Sequence, residues 1–302
     1  MQSENLISLI LNYLNFNSQS KFLDLQSYNL DYSNNNKIIL KDFRSILPLA
    51  IGINLKIFKN EYTTSLTHIQ FLNISKCDIC ILPKELFDLK QLKTINCSQN
   101  KIKVIPTDIG KFINLQKFDC RYNEITAISA EIGKLINLQE FTCGCNELTS
   151  IPAEIGNLIN LRKFCCGYNR IKVIPLEIGK LINLKIFDCS ENQITVIPIE
   201  IGNLINLQEF RCDVNKIIVI PAEIGKLLNL KKFNCSHNQI KIIPSDLGNC
   251  INLQEIFCHD NRIKIIPTEM GNCKNLKEFY CDPETIIPEK IKSYTHTLVD
   301  IF

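Results

Sequence analysis

Histidine occurs only four times in the 302 residues, which leaves little material for metal binding or acid–base chemistry. Net charge is equally scarce. The 34 basic and 31 acidic residues leave +3, too weak a field to recruit a polyanion, so nucleic acid is not an expected partner. Long apolar runs are missing too. The longest early stretch, Leu6 to Leu11, contains Ser8 and follows Glu4, so it is too short to span a bilayer and lacks the basic lead of a secretory signal. Membrane insertion is not expected. A phosphate loop is excluded by spacing: Ile174 and Ile220 stand five residues before Gly179-Lys180 and Gly225-Lys226, where glycine is needed, and leucine follows each lysine. These glycines are instead expected on an outer turn, supplying unusual backbone angles. No serine or cysteine is paired with an oriented base, so no catalytic site and no cofactor are expected.

What is present is an apolar fraction of 45%, enough for a sizeable core, together with fifteen cysteines. A disulfide framework belongs to short chains without a core. Here nine cysteines, Cys97, Cys120, Cys143, Cys166, Cys189, Cys212, Cys235, Cys258 and Cys281, recur every 23 residues. Reduced thiols in the core of a cytoplasmic protein are the expectation. One thiol per turn offers no tetrahedral set, so a metal or redox ladder is not expected.

The period defines units beginning at Ile69, Leu92, Leu115, Leu138, Leu161, Leu184, Leu207, Leu230, Leu253 and Leu276. Counting from Leu184, Phe187, Cys189, Asn192, Ile194 and Ile197 occupy positions four, six, nine, eleven and fourteen, followed by Pro198, Ile201, Gly202 and Leu204. Positions four and six point to one face of a short strand while three, five and seven face the other way. Each period returns the chain to the same place, so successive strands run parallel at about 4.8 Å and ten of them give a curved solenoid about 45 Å long. Proline, fixed in φ and without an N–H, turns the chain to the opposite side. Large phenylalanine at position four beside small cysteine at position six conserves core volume. Asparagine at position nine, from Asn100 to Asn261, is expected to form a ladder of hydrogen bonds to backbone groups left over where each strand ends.

This unit resembles the leucine-rich repeat, LxxLxLxxNxL, over roughly residues 69–290. The stretch Pro152 to Leu161, Pro-x-Glu-Ile-Gly-x-Leu-x-Asn-Leu, is most similar to the intracellular Ras-group repeats. The resemblance implies an α/β right-handed solenoid with a parallel β-sheet on the concave face and an irregular or 3-10 convex side. It also implies partners in signalling, small GTPases among them. The array decays at both ends, as a solenoid requires. Cys77 takes the first asparagine position, Ser129 takes one proline position, and Glu284 and an early Pro288 shorten the last unit. Residues 1–45 are expected to form an N-terminal helical cap, from the spacing of Leu6, Ile7, Ile10, Leu11 and Leu14. Residues 46–68 read as a degenerate repeat and 291–302 as a C-terminal cap. An alternative for the first segment is that Leu6 to Leu23 resembles a truncated F-box, which would make the protein a ubiquitin-ligase substrate receptor.

Function in such a scaffold belongs to positions three, five, seven and eight, which the fold leaves free. Lys117, Arg121, Tyr122, Lys163 and Tyr168 make a basic and aromatic patch moderated by Asp119, and later turns lean acidic around Arg211. Ile256 takes the usual phenylalanine slot, which turns Phe257 outward with Tyr280 as its cross-strand neighbour. Ile186 and Val214 add outward apolar side chains. His237 and His259 fall on adjacent turns near Asp260 and Asp213 and read as solvated contact residues rather than metal ligands. Aromatic and arginine side chains are frequent anchors of interfaces. The expected function is a non-enzymatic scaffold that binds a partner protein or peptide through these side chains on the concave face.

Overall fold

The computed structural model describes residues 37–39 and 70–292, apart from 77 and 83. The helix expected from Leu6, the F-box-like stretch, the degenerate repeat at 46–68 and the last ten residues lie outside the described residues. Among the described residues eleven three-residue strands form one parallel sheet in strict chain order. They are β1 (Lys37–Ile39), β2 (Phe71–Asn73), β3 (Thr94–Asn96), β4 (Lys117–Asp119), β5 (Glu140–Thr142), β6 (Lys163–Cys165), β7 (Ile186–Asp188), β8 (Glu209–Arg211), β9 (Lys232–Asn234), β10 (Glu255–Phe257) and β11 (Glu278–Tyr280). The register keeps equivalent positions side by side, as in Phe164 opposite Phe187 and Phe187 opposite Phe210. Strand β1 pairs with β2, so a strand lies inside the segment read as a helical cap.

Alternation decides which side chains enter the core. In the unit from Leu184, the seven residues Leu184, Phe187, Cys189, Ile194, Ile197, Ile201 and Leu204 are all buried. Burying each of the larger ones contributes about 1.5–3 kcal/mol, so these columns are the main source of stability. Phe118, Phe141, Phe164, Phe187, Phe210 and Phe233 stack ring on ring, with centroids 5.4 to 5.7 Å apart. All nine column cysteines are buried and free. Some of the thiols donate weakly to the next turn, as Cys258 Sγ does to the Tyr280 carbonyl at 3.3 Å.

The asparagine ladder is present. Asn192 Oδ1 accepts from the Ile171 N–H at 2.9 Å, and its Nδ2 donates to the carbonyls of Cys166, Cys189 and Ser190 at 2.9 to 3.1 Å. One side chain therefore satisfies groups on two consecutive turns. A second asparagine column, at position twenty-three, is equally regular: Asn183 Nδ2 donates to the Ile159 carbonyl at 2.9 Å and Asn206 to Ile182 at 2.8 Å.

Opposite each of the strands β2 to β10 the chain makes a five-residue 3-10 helix, as at Ala130–Lys134 and Leu176–Lys180. Proline supplies the extended residue before most of them. Ser129 replaces it with the same φ of −64°, and its hydroxyl accepts from the Glu131 N–H at 3.2 Å. The glycines here do not adopt left-handed angles, which corrects the expectation from sequence; no described glycine has positive φ. Their reason is close approach: a Cβ on Gly179 would lie 2.7 Å from both the Cβ and the carbonyl oxygen of Glu200. The bulkier helical side and the tight strand spacing bend the stack, placing the sheet on its concave face. At the far end a short α-helix, Glu289–Lys292, buries Ile291 against the last turns. Among the described residues no helix is long and apolar enough to cross a membrane.

Candidate functional site

The free positions of the repeat form a continuous surface on and beside the sheet. Among the described residues position eight is held in the left-handed region at nine turns without a glycine, among them Tyr122, Tyr168, Val214, His237 and Asp260 at φ 51–56°. That conformation costs of order 1 kcal/mol per residue. It is offset by hydrogen bonding: the Tyr122 and Tyr168 N–H groups donate to the Gly144 and Ser190 carbonyls of the next turn at 3.0 and 2.9 Å. The turn also carries the side chain out of the sheet plane. Tyr122 is 53% and Tyr168 58% exposed, more than an aromatic ring needs for packing. The Cys145 thiol between them pushes the Tyr122 phenol above its ordinary range.

The charged residues are largely self-neutralised. Lys117 Nζ meets Glu140 Oε1 at 2.7 Å across β4 and β5, and Lys232 meets Glu255 at 2.8 Å across β9 and β10. Arg121 grips Asp119 with two bonds of 3.0 and 2.8 Å. Arg211 lies between Asp188 Oδ2 at 4.0 Å and Asp213 Oδ1 at 3.5 Å. The patch read from Lys117, Arg121 and Lys163 therefore presents less free positive charge than its sequence implies, because Glu140 comes from the next strand. Exposed pairs of this kind add little stability, but they fix the side chains that border the aromatic rings.

At the C-terminal end Ile256 is buried and half-buried Phe257 faces outward, as its slot requires. Its ring stacks on Tyr280 with centroids 4.9 Å apart and planes 6° from parallel. The two residues are register partners on β10 and β11. Ile186, half-buried on β7, is the register partner of Lys163 on β6 and Glu209 on β8. Beside the stack, the rings of His237 and His259 meet edge to face at 5.2 Å. Burial lowers the His259 pKa below its usual value, with Asp260 opposing. Asp282 takes over a capping task that the sequence reading missed: its carboxylate accepts from the Asp260 and Asn261 N–H groups at 2.6 and 3.2 Å, where a further turn would have supplied carbonyls. The only sequence signal for this was the loss of asparagine at Glu284.

Sequence models of known families match three parts of the chain: a leucine-rich repeat region at 25–170, a single leucine-rich repeat at 183–204 and a pair of such repeats at 228–268. No curated protein matches. Among solved structures, an internalin of Listeria monocytogenes superposes with a TM-score of 0.68 at 19% identity, over 79% of this chain and 69% of that one. A plant peptide hormone receptor, RGFR1 in complex with RGF2, gives 0.60 at 27% identity over 76% of this chain and 44% of that one. A TDR receptor gives 0.58 at 24% identity over 73% and 42%. This chain spans less than half the length of either receptor. The internalin and the TDR receptor bear on the fold alone. Parallel strands in chain order, buried repeat columns, the asparagine ladder and the sequence matches agree, and the chain belongs to the leucine-rich repeat family.

Proposed function

We propose that this protein is a non-enzymatic scaffold that holds a partner protein or peptide against the concave face of its sheet. The observation that carries this reading is the presence of aromatic rings at positions the fold does not need: Tyr122 and Tyr168 in the open, and Phe257 stacked on Tyr280. Such rings have large contact area and little rotamer entropy to lose, which suits them to anchor an interface. The plant receptor in complex with RGF2 supports a protein or peptide ligand for an array of this shape. The resemblance of the Pro152–Leu161 stretch to Ras-group repeats extends the proposal to signalling in the cytoplasm, with small GTPases among the partners. The column of buried free thiols fits a reducing compartment.

The test is capture from the native cell with three baits: wild type, the Tyr122→Ala/Tyr168→Ala/Phe257→Ala variant, and Ile159→Ala/Ile182→Ala, whose residues are exposed away from the sheet. A protein held by wild type and by the Ile159/Ile182 variant should be lost from the triple variant, at a nearly unchanged melting temperature. Retention by the triple variant would place recognition elsewhere.

A further inference from the structure

His237 and Asp260 occupy position eight on adjacent turns, each with φ 51°. Their turns are tied together, the His237 N–H donating to the His259 carbonyl and the Asn238 N–H to the Asp260 carbonyl, both at 3.0 Å. His259 lies two residues beyond Phe257, on the same side of the strand. As a result His237 Nδ1 is 3.2 Å from Asp260 Oδ2, and His259 Nε2 is 3.9 Å from that same oxygen. One ligand atom from each of the three residues falls within 4.8 Å of the other two. We propose that His237, His259 and Asp260 form a site for a divalent transition ion of the zinc type, with a fourth position open to solvent.

The donor set decides the class of ion. Two imidazole nitrogens and one carboxylate oxygen suit zinc and its neighbours, whereas calcium and magnesium require six or more oxygens and soft copper(I) prefers sulfur. A tetrahedral ion with bonds of about 2.0–2.2 Å holds its ligand atoms about 3.3–3.6 Å apart. The separations of 3.2 and 3.9 Å to Asp260 bracket that value and all three ligand atoms lie within 4.8 Å of one another, so rotation of the exposed His237 and Asp260 side chains toward half-buried His259 brings the set to an ion. An ordinary ion pair between His237 and Asp260 would leave His259 unexplained. Its Nε2 lies 3.9 Å from the shared carboxylate oxygen, too far for a hydrogen bond and within the span that a bridging ion closes. The frame is stiff, because the Asp282 carboxylate pins the Asp260 turn through two N–H groups and adds negative charge nearby. This departs from the sequence reading of the histidines as solvated contact residues, and the reason is the shared oxygen, which spacing alone does not reveal. The His259 Nδ1, buried without a hydrogen-bond partner, limits the strength. A metal-bound histidine without an acceptor for its second nitrogen binds about 10–100-fold more weakly than a supported one, so this site is weaker than one with that support.

The full chain, stripped with chelator and dialysed, should be titrated with zinc sulfate by calorimetry and with cobalt(II) by visible absorption. The expected result is one ion per chain, the intense visible bands of four-coordinate cobalt, and a melting temperature that rises with zinc. His237→Ala and Asp260→Asn alter exposed residues and leave the core intact; each should weaken binding about tenfold or more. His68→Ala/His296→Ala, which removes the remaining histidines, should leave binding unchanged. The proposal is overturned by a wild-type chain without stoichiometric uptake, by binding indifferent to His237→Ala and Asp260→Asn, or by binding lost with His68 and His296.

Discussion

Asn192 is one side chain that closes four hydrogen bonds to backbone on two turns, which no apolar residue at that position could do. Asn192→Ala strands those groups in a buried place and should cost about 1–3 kcal/mol, read as a lower chemical-denaturation midpoint; an unchanged midpoint would contradict the ladder's role. Asp213 shows the opposite balance. It is buried, its Oδ1 lacks a hydrogen bond, and burial pushes its carboxyl above the usual range against the pull of Arg211. Its native form therefore holds a proton more tightly than the unfolded chain, so stability falls as pH rises through the native pKa. Asp213→Asn is expected to raise the melting temperature at neutral pH. That gain should vanish in acid below the ordinary aspartate range, where the wild-type group is protonated in both states. A variant less stable than wild type at neutral pH would show that the Arg211 contact outweighs desolvation.

At the scale of the element, the strand and the 3-10 helix of each turn are set by different rules. The strands were legible in the sequence because alternation and the 23-residue stride need only the identity of apolar residues. Phe257 beside Ile256 could be placed outward, and opposite Tyr280, on that rule alone. The outer turns were less legible. Gly179 read as a residue of unusual backbone angles, yet its φ is ordinary and it serves the approach of Glu200 on the next turn, a distance that no single period contains. Likewise Glu140 neutralises Lys117 from another strand, and left-handed Tyr122 and Val214 carry no glycine to announce the conformation. Gly179→Ala therefore sets two effects against each other. The less flexible unfolded chain favours alanine by about 0.4–1 kcal/mol, whereas overpacking at 2.7 Å costs about 1–3 kcal/mol. The clash should win, and a thermal melt above wild type would refute the close-packing account.

For the whole molecule, the consequence is a division of labour between columns. Inward columns of leucine, phenylalanine, cysteine and isoleucine carry stability, and both asparagine columns join neighbouring turns. Because every turn leans only on its neighbours, the surface of the sheet can vary without loss of the fold. Recognition is proposed to reside on that surface. The decisive experiment is site-specific photocrosslinking in the native cell, with a photoreactive phenylalanine analogue placed at Tyr168 in one protein and at Ile159 in another. A covalent adduct with a single partner is expected from position 168 and none from 159. Adducts from 159 with position 168 silent would contradict it.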